Sequence, residues 1–419
     1  MKKLIFLFTL CTLLTPQLIY SQWYQQQVPV SKPITGIKFI DSLKGWACTN
    51  LDSLLDTGYI LHTTNGGVNW LIQYQLYNSQ FLALSIIDSM YGYTAGYNFQ
   101  AGGPFVYKTT NGGTNWFNLN ASLGADANDL FFLNRDSGYV NCGFIGADVR
   151  TTTDGGNTWL LRTNGFTART NRLFFLNYNT GWCGAMGYLF KTTNAGINWF
   201  LLYDNIQQIY SILFMNETTG WIGIFNKQIK YTTDGGNNWI NQVLPSMAGT
   251  SVFDIKMIND SILFAGQKDY FIFKSQNRGE NWGYQNDSTY STTISFADSL
   301  HGWTGDIGIS HTSNSGGPIF YVGFVPNGNN VPAIFRLYQN YPNPFNPYTT
   351  IKIDISRNST INLLITDILG RQRYLVKDQY LNAGTYAFNW DSRNESSGIY
   401  FYTLVSDNYR DSKKMVLVK

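Results

Sequence analysis

TTNGGVNW at residues 63–70 and TTNGGTNW at 109–116 are nearly the same eight-letter box written twice. TTDGGNTW (152–159), TTNAGINW (192–199), TTDGGNNW (232–239) and SQNRGENW (275–282) extend the series, and HTSNSGG (311–317) is a seventh, decayed copy. The tryptophans that end the six good boxes, Trp70, Trp116, Trp159, Trp199, Trp239 and Trp282, lie 46, 43, 40, 40 and 43 residues apart. A period of this size identifies a repeat architecture, and it is read before any other feature.

The rest of each unit recurs around its box. An apolar run such as Ile37–Ile40 or Leu130–Leu133 comes first. A polar turn follows, ending in Gly plus an aromatic: DSLKGW (41–46), DSMYGY (88–93), NRDSGY (134–139), NYNTGW (177–182), NETTGW (216–221) and DSLHGW (298–303). A short Gly-rich strand, a strand entering the box and a strand leaving it complete four short strands, with no helical periodicity. Four strands per unit at this period predict an all-β fold, a seven-bladed β-propeller of four-stranded blades. The seventh unit lacks the tryptophan and strand that follow every good box. Trp23-Tyr24-Gln25-Gln26-Gln27 has their pattern, so the N-terminal segment is expected to complete the last blade and close the ring.

The box itself reads as a hairpin turn. Its Asp or Asn caps backbone amides and its Gly supplies a positive φ, while the Trp is an apolar body whose indole N–H needs a partner. A metal or acid–base role would need a carboxylate, yet the acidic position is Asn65, Asn111, Asn194 or Asn277 in four good boxes. Only Asp154 and Asp234 carry charge. Turn capping accepts either residue, so the box is expected to be structural.

These units resemble the Asp-box, or BNR, repeats of sialidases, sortilin-type receptors and xyloglucanases. The pairing of a Gly-Trp turn with TTDGGxTW is most similar to propellers of the photosystem II assembly-factor type. The resemblance covers residues 23 to about 322. It implies the fold but no particular activity, since one fold hosts unrelated functions.

The two ends read differently. MKKLIFLFTLCTLLTPQLIYSQ has two lysines, an apolar run too short to span a bilayer and a small-residue cleavage point, so residues 1–21 are expected to be a secretory signal peptide. No later stretch has the length of a membrane span. After the propeller (22–322) a Gly/Asn/Pro linker (323–334) leads to residues 335–419, whose alternating runs suit a small C-terminal β-sandwich. This tail resembles the type A C-terminal sorting domain of the type IX secretion system. The matching residues are YPNPFNP (Tyr341, Pro342, Asn343, Pro344 and Phe345 at its start), Gly370 in ILGR, Gly398 and Tyr400 in SGIY, and Lys413 to Lys419 in the final KKMVLVK. The resemblance implies export through the inner membrane, recognition by an outer-membrane translocon, and a destination at the cell surface or outside the cell.

Composition and motifs exclude much of the remaining chemistry. Charged residues are 13% of the chain, about half the usual share, and the formal charge of +3 falls to +1 without Lys2 and Lys3. That leaves no basic stripe for nucleic acid. Cys48, Cys142 and Cys183 are an odd set in strand-like settings and read as core. His62, His301 and His311 sit in turns of different units and make no ligand cluster, and no metal, nucleotide or hydrolase motif is present. No cofactor is expected. Sialidases resemble this chain in their boxes but use three converging arginines from separate blades. Here Arg135, Arg150 and Arg278 belong to turns or boxes, and Arg162, Arg169 and Arg172 come from one connection.

What survives is a non-catalytic binding or adhesion propeller for a glycan or protein partner. Its candidate site is Tyr203, Asp204, Gln207, Tyr210, Arg162, Arg169 and Arg172 on blade-to-blade connections, with insertions at 49–58 and 97–103, on the face opposite the boxes. The alternative is a secreted glycosidase using two of the inter-blade carboxylates Asp52, Asp56, Asp126, Asp129, Asp204 and Asp287.

Overall fold

In the computed structural model, the residues described are 23–52, 56–119, 123, 127–142, 148–163, 165, 166, 168, 170–204, 206–242, 244, 245, 251–287, 290–317, 319, 332–381, 383–393 and 395–419. The expected signal peptide, most of the linker, Asp126 and Arg169 lie outside them. Every regular element among them is a strand, and none is a helix long and apolar enough to cross a membrane.

Seven four-stranded antiparallel sheets form the propeller. Blade 1 is Ile34–Phe39, Gly45–Thr49, Thr57–Thr63 and Leu71–Tyr77. The inner strands of the next five blades are Ser79–Ile86, Ala127–Phe132, Thr170–Phe175, Ile209–Phe214 and Val252–Met257, and that of blade 7 is Thr293–Phe296. Each inner strand packs against the next and the last returns to the first, so the ring is closed. The outer strand of blade 7 is Tyr24–Gln26, paired antiparallel with Gly308–Thr312 so that Tyr24 faces His311. The N-terminal segment does complete the last blade.

The Gly-aromatic signature has a steric cause within each blade. In five blades the phenylalanine that ends the inner strand folds over the glycine that opens the second strand, and Ile86 does so in blade 2. A Cβ on Gly45 would meet the Phe39 ring at 2.5 Å, and one on Gly181 would meet Phe175 at 2.4 Å. The aromatic after that glycine then joins neighbouring blades. Trp303 stacks on Phe39 of blade 1 at 3.4 Å, Tyr93 on Phe132 at 3.5 Å, Tyr139 on Phe175 at 3.5 Å and Trp182 on Phe214 at 3.6 Å. Their polar tips reach across as well: the Trp303 indole donates to Gly66 O (3.1 Å) and the Trp182 indole to Gly235 O (3.3 Å).

The boxes share one geometry. The Thr63 hydroxyl donates to Asn65 Oδ1 (3.0 Å) and accepts from Gly67 N (2.9 Å), while Asn65 Oδ1 accepts from Asn69 N (2.9 Å). The same bonds run from Thr232 and Asp234 to Gly236 and Asn238. These contacts hold the Asp234 carboxyl down at about 2, led by the Asn238 amide. Amide and carboxylate boxes are therefore interchangeable, as capping requires. The decayed seventh box keeps this loop, with Gly316 N donating to Thr312 Oγ1 (2.7 Å). Its missing tryptophan is supplied by Trp23, which is 2% exposed and packs edge-on against Phe264 and Phe296.

Box tryptophans are fastened by a residue that motif reading passed over. Gln26, three positions after Trp23, accepts from Trp70 Nε1 (3.1 Å) and donates to Gly66 O (2.7 Å), clasping the box of blade 1. Gln242 does the same for Trp282 and Arg278 O, and Gln285 for Trp23 and Ser315 O. Gln73 reaches Gly112 O at 2.7 Å, though its oxygen accepts from Trp46 rather than the box tryptophan. The spacing W-x-x-Q in four units was the available signal.

His311 is expected to make the closing strand acid-sensitive. It stacks on Trp303 (4.7 Å) and meets Tyr24 edge-on (5.2 Å), with His301, paired to Asp298, beyond it. Burial, then the His301 charge, lowers its pKa from 6.5 to about 4. The folded state thus holds a neutral ring that the unfolded chain protonates near pH 6.5. This contribution is full above that pH and is lost as pH falls towards 4. Amide protection at Tyr24–Gln26 is expected to fall between pH 6.5 and 4 ahead of that at Ile37–Phe39. Equal protection throughout would show that His311 does not govern closure.

In the tail, Arg336–Leu337, Tyr348–Ile355 and Gly384–Asp391 form one sheet, and Gln372–Leu381, Ser359–Asp367, Gly398–Ser406 and Tyr409–Leu417 another. They enclose a core that includes Ile351, Ile353, Ile361, Leu363, Tyr402 and Leu404, a small β-sandwich. The tail's two signature ends meet. Phe345 is buried and its amide donates to Val416 O (3.0 Å), while Asn343 Oδ1 accepts from Val416 N (2.9 Å). Cis bonds precede Pro342 and Pro344, and Tyr341 stays exposed. Gly370 takes a φ of +77° in its turn. Tyr400, the third residue of the Gly398–Ser406 strand, donates to Ser396 O (2.8 Å). Lys413 pairs across the sheet with Tyr402, and the Lys419 ammonium donates to Arg393 O.

Candidate binding channel and rim

Five inner strands, those of blades 1 and 3 to 6, carry a bulge at their second residue, which turns the third and fifth side chains towards the next blade's inner edge, around the central channel. Ser295 Oγ accepts from Phe39 N, Ser85 Oγ from Phe132 N and Ser211 Oγ from Ile255 N. Asp129 accepts from Leu173 N and Asp254 from Ile294 N, each at 2.8–2.9 Å. Polar side chains at these places satisfy inner-edge amides that no fifth strand would cover.

The channel lining is also charged. Lys256 pairs with Asp254 at 3.0 Å. The Arg172 side chain donates to Tyr210 O (2.8 Å), and its charge opposes the burial that raises the Asp129 pKa. Lys38 touches channel solvent yet is enclosed by protein; burial, then Lys256, lowers its pKa. On the opposite arc the fifth positions are Phe131, Phe174 and Leu213, with Phe131 and Phe174 edge-on at 5.7 Å. At the fifth positions the lining is thus cationic at Lys38 and Lys256 and apolar at Phe131, Phe174 and Leu213.

The rim opposite the boxes is formed by the turns between second and third strands. Phe99, Met186, Phe225, Tyr270 and Ile307 each sit in such a turn, from 39% exposed at Phe99 to 59% at Tyr270 and Ile307. The equivalent turns of blades 1 and 3 include residues 53–55 and 143–147, which lie outside the described set. A large apolar side chain at five hairpin tips is more than packing of the ring demands, and such patches mark interaction surfaces.

The residues expected to form a site are only partly brought together. Asp204 and Gln207 are exposed on the connection from blade 4 to blade 5, where Ile206 N donates to Gly187 O beside Met186 and Phe225 N donates to Gln208 O. Tyr210 lies at the channel mouth against Phe253 (4.8 Å). Tyr203 turns inward towards Trp239 and contributes to packing between blades 4 and 5. The arginines do not converge. Arg172 belongs to an inner strand, whereas Arg162 lies beside the box of blade 4, its Cβ near Gly196. The outer strand of blade 3 is only Leu160–Leu161, and the chain then folds Phe166 onto Trp199 and Phe190. Sequence spacing could not reveal that detour.

The inter-blade carboxylates are largely engaged in structure. Lys32 forms ion pairs with both Asp52 and Asp56. Asp287 accepts from Ser291 Oγ (2.5 Å) and Thr304 Oγ1 (2.7 Å) within a buried site, and Asp129 is held by two backbone amides. Among the described residues no three His, Cys, Asp or Glu side chains gather as metal ligands.

The fold and these surfaces define a closed propeller with an exposed apolar rim, joined to a sandwich of sorting type. Residues 339–419 match the family model of the secretion system C-terminal sorting domain, so the chain is one sorted for secretion by the type IX route. The propeller is similar to two solved structures described as YCF48 bound to D1 peptide and YCF48 from Cyanidioschyzon merolae. Both are 17% identical over 70% of this chain, covering 97% and 99% of theirs, with TM-scores of 0.58 and 0.56. The extracellular domain of the one-component system BT4673 from B. thetaiotaomicron is similar over 95% of this chain and 59% of its own, at 10% identity and a TM-score of 0.54. At such identities the likeness concerns fold alone. No curated protein matches the chain.

Proposed function

We propose that the protein is an exported, non-catalytic binding module, displayed on the cell surface or released, that engages a protein or peptide partner through the rim opposite its boxes. The observation that carries this reading is the ring of exposed apolar tips at Phe99, Met186, Phe225, Tyr270 and Ile307. Asp204 and Gln207 stand between two of those tips and supply polar contacts, with Tyr210 and Arg172 at the channel mouth. An apolar contact surface with a polar border suits a protein partner better than a sugar, whose hydroxyls need convergent hydrogen-bonding groups. That a similar propeller was solved with a bound peptide supports the same choice. The boxes, the Asp-box repeats of the sequence reading, hold blades together and leave recognition to the other face.

The test compares the full chain with Phe225→Ser/Tyr270→Ser and with Leu43→Ser/Val68→Ser, which removes exposed apolar groups from the turn and box side instead. Envelope proteins retained by the wild type are expected to be lost at least tenfold with the rim variant and kept with the box-side variant. Equal retention by all three overturns the reading. So does cleavage of any glycan presented in parallel, which would move the search to the inter-blade carboxylates.

A further inference from the structure

We infer that the seam between blades 3 and 4 is a binding site for a small anion, held by Arg162 and Trp199. The comparison that carries this is internal to the chain. Where a glutamine stands three residues after the tryptophan position, it donates to the next box's carbonyl; at three of those four seams its oxygen also accepts from a tryptophan of the box seam. At the seam from blade 3 to blade 4 the glutamine's place is taken by Arg162, which has donors and no acceptor. Trp199 is 3% exposed and its indole nitrogen is buried without a hydrogen-bond partner. Arg162 Nε is likewise buried and unpartnered.

The Trp199 indole and the stem of Arg162 flank the same glycine. A Cβ placed on Gly196 would lie 3.4 Å from Trp199 Nε1 and 3.6 Å from Arg162 Cβ. The other seams without glutamine differ. Leu119 and Leu202 replace it with an apolar side chain, and Trp239, beside Leu202, donates to Gly236 O in its own box (2.8 Å). Trp159, beside Leu119, is orphaned too, and Lys108 near it already donates to Gly155 O (3.0 Å); among the described residues only Arg162 puts a cation at the glutamine's place beside an orphaned N–H. Tyr139, on the other side of the seam, donates to Tyr178 O (2.6 Å), and its oxygen accepts from neither Trp199 Nε1 nor Arg162 Nε. The guanidinium forms no ion pair among the described residues. Two buried, unpartnered donors with one positive charge call for a halide or a small carboxylate, which accepts from both and neutralises the arginine. The bound anion does for this seam what the glutamine oxygen does for others.

The test is thermal unfolding of the full chain at constant ionic strength, with chloride or acetate replacing a bulky organic anion. The wild type is expected to gain about 1–3 °C in Tm, saturating with anion concentration. Arg162→Gln rebuilds the clasp and is expected to unfold at or above the wild-type temperature with no anion dependence. Arg162→Ala loses the dependence as well, at a lower Tm. Bromide soaked into crystals should give anomalous density beside Arg162. A wild type with no saturable response, as expected if water alone fills the space, overturns the inference, and so does Arg162→Gln with the wild-type response.

Discussion

Trp303→Ala is expected to destabilise the propeller by about 3–5 kcal/mol, the range for removing a buried aromatic side chain. The residue is fully buried and sits at the joint where the ring closes. Its ring lies flat on Phe39 of blade 1 at 3.4 Å, and its indole donates to Gly66 O. Alanine forfeits the stack and opens a cavity between two blades, while Gly66 O keeps only the Gln26 bond. Trp303→Phe separates these terms, since it keeps most of the apolar area and loses the indole bond. The phenylalanine variant should cost about 1–2 kcal/mol, mainly for the missing hydrogen bond. Denaturant unfolding followed by tryptophan fluorescence measures both. A cost below 1 kcal/mol for Trp303→Ala would mean that the seam relaxes and that the stack contributes little.

Deletion of residues 23–27 should have a larger effect, because several contacts depend on one short segment. It takes away the outer strand of blade 7, the Trp23 side chain that stands in for the seventh box tryptophan, and the Gln26 clasp on blade 1. The exposed Gly308–Thr312 edge is then a template for pairing with another chain. The shortened protein is expected to be recovered mostly as aggregate, with any soluble fraction unfolding in a broadened, less cooperative transition. Adding back a peptide of residues 22–28 at high concentration should restore part of the sharp transition. A truncated chain that melts like the full one would show that inner-strand packing closes the ring unaided.

The parts of this fold that were legible in sequence are those decided by residues close together in the chain. A box is eight residues long, and its bonds link Thr63 to Asn65 and Gly67, and Asn65 to Asn69. Its turn chemistry is therefore written locally, and the period of the repeats gives the blade. Even ring closure was readable, because Trp23–Gln27 carries the pattern that the seventh unit lacks. The rim was half legible. Its turns could be located, but the identical role of Phe99, Phe225 and Tyr270 shows only when blades are superposed in space.

Other features depend on pairs of residues that the period hides. Gln242 reaches a box that begins 33 positions later, and the spacing says nothing of which neighbour it clasps. Arg162, Arg169 and Arg172 read as one basic group, yet Arg162 stands three residues after Trp159 and so lies against the next box, whereas Arg172 belongs to an inner strand and reaches the channel. The sequence alone determined the blade, the number of blades, the way the ring closes and the sorting tail, because each rests on short-range turn chemistry repeated at a set period. Tertiary structure alone decided which donors meet which acceptors across the seams and which side chains face the channel or the rim. Those outcomes depend on how blades 40-odd residues apart are brought into contact, and burial makes every unmatched polar group there costly.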